Sequence, residues 1–139
     1  MIVFSQSPAH WEFLDVPFKD WLHHCAAHWE ARIGEMQYLF LSNAEIKAAN
    51  GRFLGHDYVT DIITFSYAQG KRVMAECLIG YERVDEQARE RKLALEEEAG
   101  RVMVHGLLHC LGFDDQTPDQ KRAMRAAEDY CLLLRAKNL

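Results

Sequence analysis

His105-Gly106-Leu107-Leu108-His109-Cys110-Leu111-Gly112-Phe113-Asp114-Asp115 is the stretch on which the reading of this chain turns. His105 and His109 are four residues apart, so on a helix both imidazoles leave the same face, one turn from each other. Gly112 follows, and a glycine accepts the left-handed backbone that ends many helices. The chain can then fold back, so that a side chain just past the turn meets the two imidazoles. Asp115, six residues after His109, stands where such a third ligand would sit. The segment therefore predicts a metal site of two imidazoles and one carboxylate, with open positions where chemistry can occur. With seven His in 139 residues, the histidine pair alone is a weak signal. The glycine and the carboxylate at these offsets make it specific.

The zinc-protease pattern H-E-x-x-H-x-x-G-x-x-H shares both histidines and the glycine with this segment. Gly106 replaces its Glu and Asp115 its last His. That Glu is the general base of peptide hydrolysis, and Gly106 cannot take a proton, so efficient proteolysis is not expected. Two neutral imidazoles and a carboxylate suit zinc, and they also form the non-haem iron triad. The H-x-x-x-H helix favours one Zn2+ ion.

Outward from the motif, Leu95 to Leu111 reads as the metal helix, with Met103, Leu107, Cys110 and Leu111 turned away from the histidines onto a sheet. Gly106 leaves room there for a close neighbour or a substrate. Thr117-Pro118-Asp119-Gln120 starts a last helix, with a Thr cap, Pro in the first position and Gln in the capping-box place. That helix turns Met124, Ala127, Cys131 and Leu134 inward. Upstream, Ile2 to Ser5 predicts a strand, and Phe18, Leu22, Cys25 and Trp29 give a helical face over about 17–32, ended by Gly34. His24 and His28 are also four apart but lack a turning glycine and a third ligand, so they read as a solvated flank. Met36 to Leu41 predicts a strand covered on both faces. A short helix capped by Ser42 or Asn43 carries Ile46 and Ala49 and stops at Asn50-Gly51. Arg52, His56 and Asp57 fall in the loop that follows, as polar groups able to meet a substrate or as plain exposed connection. Val59 to Phe65 and the run through Val73, Cys77 and Ile79 predict a hairpin turning at Gln69-Gly70. Glu76 interrupts its second strand and reads as an edge charge that blocks unwanted pairing, with a place facing the cleft as the alternative. Glu82 to Leu93 is a charged covering helix. The order predicts an α+β fold in which a small mixed sheet is largely covered by helices, with residues 1–139 as one domain.

Composition sets the bounds. Apolar residues make up 49% and charged residues 27%, as in ordinary globular domains. The N-terminus has no basic region before its apolar stretch, and no run is long enough to span a bilayer. Cys25, Cys77, Cys110 and Cys131 are scattered, which suggests free thiols in a reducing cytoplasm. A net charge of -5 argues against a nucleic-acid partner on its face. Local clusters at Lys71-Arg72, Arg89/Arg91/Lys92 and Lys121/Arg122/Arg125 can override that sum, although each is more commonly a solvated face.

The sequence resembles the YbeY-type endoribonucleases and rRNA maturation factors. That family carries H-G-x-L-H-L-x-G-Y-D-H, and this chain has Cys110 for the family's Leu, Phe113 for its Tyr and Asp115 for its third His. Asn50, Phe53-Leu54 and Thr60-Asp61-Ile62-Ile63-Thr64-Phe65 match a second block, Ala75-Glu76-Cys77-Leu78-Ile79 a looser third, and Met124 with Glu128 a closing helix. The resemblance covers about residues 35 to 135. It implies a four-stranded sheet with about five helices and the metal helix at the centre. It also implies zinc bound by His105, His109 and Asp115, and cleavage of single-stranded RNA in maturation of rRNA, including the 3′ end of 16S rRNA. Ribosomes or ribosomal proteins are the implied partners. The family's Arg, a residue thought to act on RNA, is Leu54 here. RNA can supply its own 2′-hydroxyl as nucleophile, so a metal and a positioning base suffice. Asp114 is the nearest candidate base and Asp61 the second. Each also has a structural reading, Asp114 capping the turn and Asp61 bracing a strand end. A ribosome-assembly factor with a structural metal and little cleavage is the alternative function.

Overall fold

The structure is a computed structural model and describes residues 1–138. The elements run β1 (Ile2–Ser5), α1 (Val16–His28), β2 (Arg32–Leu41), α2 (Asn43–Leu54), β3 (Ile62–Ser66), β4 (Arg72–Gly80), α3 (Tyr81–Arg91), α4 (Leu95–Cys110) and α5 (Pro118–Asn138). The four strands form one mixed sheet in the order β1-β2-β4-β3. β1 and β4 both run parallel to β2, and β3 closes one edge as the antiparallel half of a hairpin with β4. The predicted α+β fold, with a four-stranded mixed sheet and five helices, is the one observed.

Alternation along the strands decides what lies on each face of the sheet. Met36, Tyr38 and Phe40 of β2, with Val73, Ala75, Cys77 and Ile79 of β4, are buried in the main core under α1 and α4. Leu41 and Ile63 face the other way and join Ile46 and Ala49 of α2 in a smaller cluster. α4 is apolar nearly all round, as a central helix must be. Ala99, Met103, Val104, Leu107 and Leu108 are fully buried. Its one polar stripe is Arg101, His105 and His109, spaced by four.

Gly106 is the point where α4 meets the sheet. A Cβ there would lie 2.8 Å from Ile62 Cδ1, 3.1 Å from Thr64 Oγ1 and 3.2 Å from Cys77 Sγ. The neighbour it leaves room for is therefore the β3–β4 hairpin, which draws β3 to within reach of His105.

Several local expectations are corrected. α1 ends at His28, and the chain turns through Glu30 at φ 59°. Gly34 lies inside β2 at a register shift between Ile33 and Glu35, where a Cβ would come within 2.5 Å of Arg72 Nε. α2 continues past Asn50-Gly51 to Leu54 and is capped by left-handed Gly55. Helix continuity satisfies those backbone groups, and a Cβ at Gly51 would make only an ordinary contact, 3.7 Å from the His56 carbonyl oxygen, so nothing there requires a break. β3 begins at Ile62, because residues 55–61 form the loop that approaches it. Met36 to Leu41 is covered on both faces only toward its end, and Gln37 is exposed. Glu76 is not on an edge strand. It sits in central β4 between Gln37 and Phe65, with its exposed side chain away from the cleft described below.

Candidate metal centre

One helix end and the turn after it assemble the site. Near the C-terminal end of α4, His105 and His109 bring their Nε2 atoms to 3.0 Å. Leu111 caps the helix, and Gly112 at φ 102° reverses the chain while its N–H donates to the His109 carbonyl. The reversal returns Asp115, whose Oδ2 lies 3.4 Å from His105 Nε2 and 3.7 Å from His109 Nε2. Three candidate ligand atoms, one from each residue, all lie within 4.8 Å of one another. Ligands about 2.0–2.1 Å from a tetrahedral ion stand about 3.4 Å apart, so the donor set fits a single ion. Each of the three side chains is partly exposed, which leaves an open side for a substrate.

A second layer holds the first. Glu128, from α5, accepts a hydrogen bond from His105 Nδ1 at 2.7 Å. This bond leaves the Nε2 lone pair directed to the site, the tautomer a ligand requires. Arg101 Nη1 donates to the other oxygen of Glu128 at 2.9 Å, and its Nη2 donates to Asp129 at 2.8 Å. Burial works against protonation of His105. The Glu128 hydrogen bond and the charges of Glu128, Asp115 and Asp61 outweigh it and raise the pKa above 6.5. For Glu128 burial pushes upward, but the bonds from His105 and Arg101 win and hold its pKa below the ordinary carboxylate value.

The triad opens into a cleft of about 530 Å³ walled by Leu54, Thr60 and Asp61 of the loop before β3, Ile62 to Thr64 of β3, Ser66 and Gln116. Asp61 is in that wall, and its Oδ2 accepts from Gln87 Nε2 at 3.2 Å. The loop before it is tied back by buried Asn50, whose Nδ2 donates to the Tyr58 carbonyl. Asp114 is exposed and does not line the cleft. Its Oδ1 accepts from the Asp115 N–H at 2.9 Å, the turn-capping place. Arg52, His56 and Asp57 stay outside the cleft as well. Arg52 lies over the Phe53 ring, and His56 stacks on Tyr58. His24 and His28 are exposed on α1. The sequence named Glu128 only as a match in the closing helix, with no role at the site, and it did not single out Gln87. A glutamate on the inward face of a helix, four residues after buried Met124, was the available signal for Glu128. Gln87 carried none.

A family model described as Endoribonuclease YbeY matches residues 6–134. The chain belongs to the YbeY endoribonuclease family. A relative from Bacteroides fragilis named Endoribonuclease YbeY is 40% identical over 116 residues, 84% of each chain. A relative of the same name from Bacteroides thetaiotaomicron is 37% identical over 84% of this chain and 85% of its own. One from Chlorobaculum tepidum is 39% identical over 100 residues, 72% of this chain and 73% of its own. The fold is shared with a Thermotoga maritima protein solved in solution, at a TM-score of 0.74 and 24% identity over 99% of this chain and 91% of that one.

Proposed function

We propose that this YbeY-family chain is a metal-dependent endoribonuclease that cuts single-stranded RNA during rRNA maturation, including the 3′ end of 16S rRNA. The observation that carries this reading is the convergence of His105, His109 and Asp115 at the floor of an open cleft. Zinc is the ion that two imidazoles and a carboxylate favour. When bound, it supplies Lewis acidity toward a phosphate oxygen or a water. His105 is oriented by Glu128, and Asp115 is brought in by the turn at Gly112. Asp61 is our candidate to accept a proton from the RNA 2′-hydroxyl, a role supported by its position in the cleft lining beside His105 and by the hydrogen bond from Gln87 to one of its oxygens. Asp114, the other candidate base, is directed to the turn. Residues 1–139 act as one unit, in the cytoplasm and in contact with ribosomes. Among the described residues no helix is long and apolar enough to cross a membrane.

The test is cleavage of a single-stranded RNA with and without a chelator, alongside His109→Ala. Chelator-sensitive cleavage that is lost in His109→Ala is expected. A wild type that binds metal and rRNA yet leaves the RNA intact would instead identify an assembly factor. That reading has one observation in its favour: the cleft wall presents Leu54 in place of a cation.

A further inference from the structure

A smaller cavity of about 150 Å³ adjoins the metal cleft and shares Asp61, Ile62 and His105 with it. Its remaining lining includes Arg91 of α3, Arg101 of α4 and Arg125 of α5, with Glu98 and Glu128. Three guanidinium groups from three helices thus converge beside a ligand histidine. Their commitments differ. Arg101 is held by two hydrogen bonds and its side chain is only 13% exposed. Arg91 donates to fully buried Glu98. Arg125 makes no hydrogen bond among the described residues. Its nearest carboxylate oxygens are Asp129 Oδ1 at 3.9 Å and Glu128 Oε1 at 4.0 Å, and its side chain is 61% exposed.

We infer that this cavity is a phosphate subsite for single-stranded RNA, with Arg125 as its cation. The inference rests on the RNA reading above. The bound chemistry is a phosphodiester next to the one being cut, which a planar guanidinium can hold through paired N–H donors. The carboxylates of the cavity do not shut it to an anion. Glu128 already accepts hydrogen bonds from Arg101 and His105, Glu98 from Arg91, and Asp61 from Gln87, so each acid is engaged by a donor of its own. Arg125 is left as the guanidinium whose charge no hydrogen bond engages. Lys121 stands one turn earlier on α5, exposed and on the same stripe as Arg125 and Glu128, so the positive edge extends along the helix. A strand lying across His105 would then have one phosphate at the ligand group and a neighbouring one at Arg125. The cleft would gain on this side the cation that its Leu54 wall lacks.

The experiment measures binding of a short single strand made uncleavable by 2′-O-methylation to zinc-loaded protein over a salt series. Wild type, Arg125→Ala, Arg125→Lys and Arg122→Ala are compared. Arg122 is an exposed control paired with Asp119 and outside the cavity. Loss of one phosphate contact lowers the slope of log affinity against log salt by about 0.7 for a single strand. Arg125→Ala is expected to show that change, with several-fold weaker binding at low salt and unaltered zinc content. Arg125→Lys should restore the slope but not the full affinity, and Arg122→Ala should match wild type. An Arg125→Ala protein with wild-type affinity and slope overturns the subsite while leaving the RNA reading intact. A wild type that binds no RNA at all overturns both.

Discussion

Glu128 Oε2 accepts the His105 Nδ1 proton at 2.7 Å, across 23 residues of sequence. The contact joins the metal helix to the last helix and fixes which imidazole nitrogen faces Asp115 and His109. Such outer carboxylates typically contribute 10- to 100-fold to metal affinity. Glu128→Gln keeps the shape and loses the charge. It is expected to weaken zinc binding by about tenfold or more, read by competition with a chromophoric chelator.

The same pair sets a pH dependence. In the metal-free protein the raised pKa of His105 contributes stability that is fully present below 6.5 and is lost as pH rises through the folded value. The lowered pKa of Glu128 contributes stability present above 4.5 and lost as pH falls through its folded value. Metal-free protein should therefore be most stable between these limits, in mildly acidic buffer. A ligand imidazole must first lose its proton, so zinc affinity should fall as pH drops through the His105 value. Thermal melts with and without zinc across the range check both trends. Glu128→Gln should flatten them.

The ligand assignment separates three variants. His109→Ala and Asp115→Ala are each expected to lose most bound metal and, with it, cleavage. Asp114→Ala should keep the metal, because its carboxylate supports a turn rather than the site. Elemental analysis of protein purified without an affinity tag distinguishes them. Full metal content in Asp115→Ala would remove Asp115 from the site.

Asp61 is tested by a different split. Asp61→Asn retains the bond from Gln87 but cannot accept a proton. Turnover should fall by about 10²-fold or more, the scale of a lost general base. Metal content and melting temperature should stay near wild type. Equal loss of metal and turnover would make Asp61 a structural brace.

Gly106→Ala probes the contact between α4 and the hairpin. The added methyl meets Ile62, Thr64 and Cys77, and overpacking of this kind costs about 1–3 kcal/mol. Urea unfolding should report that loss. Turnover should fall as well, since pushing α4 from β3 moves His105 away from Asp61.

The sequence by itself determined the parts whose signals are local. His105, His109, Gly112 and Asp115 lie within eleven residues, so helix periodicity and one turn were enough to bring the three candidate ligands together. The capping pair Thr117 and Gln120, the hairpin at Gln69-Gly70 and the order of elements were legible for the same reason. Tertiary structure alone decided which strands stand at the edges, and so overturned the reading of Glu76. A strand's neighbours are not encoded in its own alternation. It also decided that Asp61, rather than Asp114, enters the cleft, and that Glu128 stands behind His105. Asp61 is bonded to a residue 26 positions away and Glu128 to one 23 away. The first is closed where α3 leaves β4 beside the start of β3, the second by packing α5 on α4. The hydrophobic burial that drives this packing is non-directional, so no spacing along the chain could announce which polar groups it would bring together.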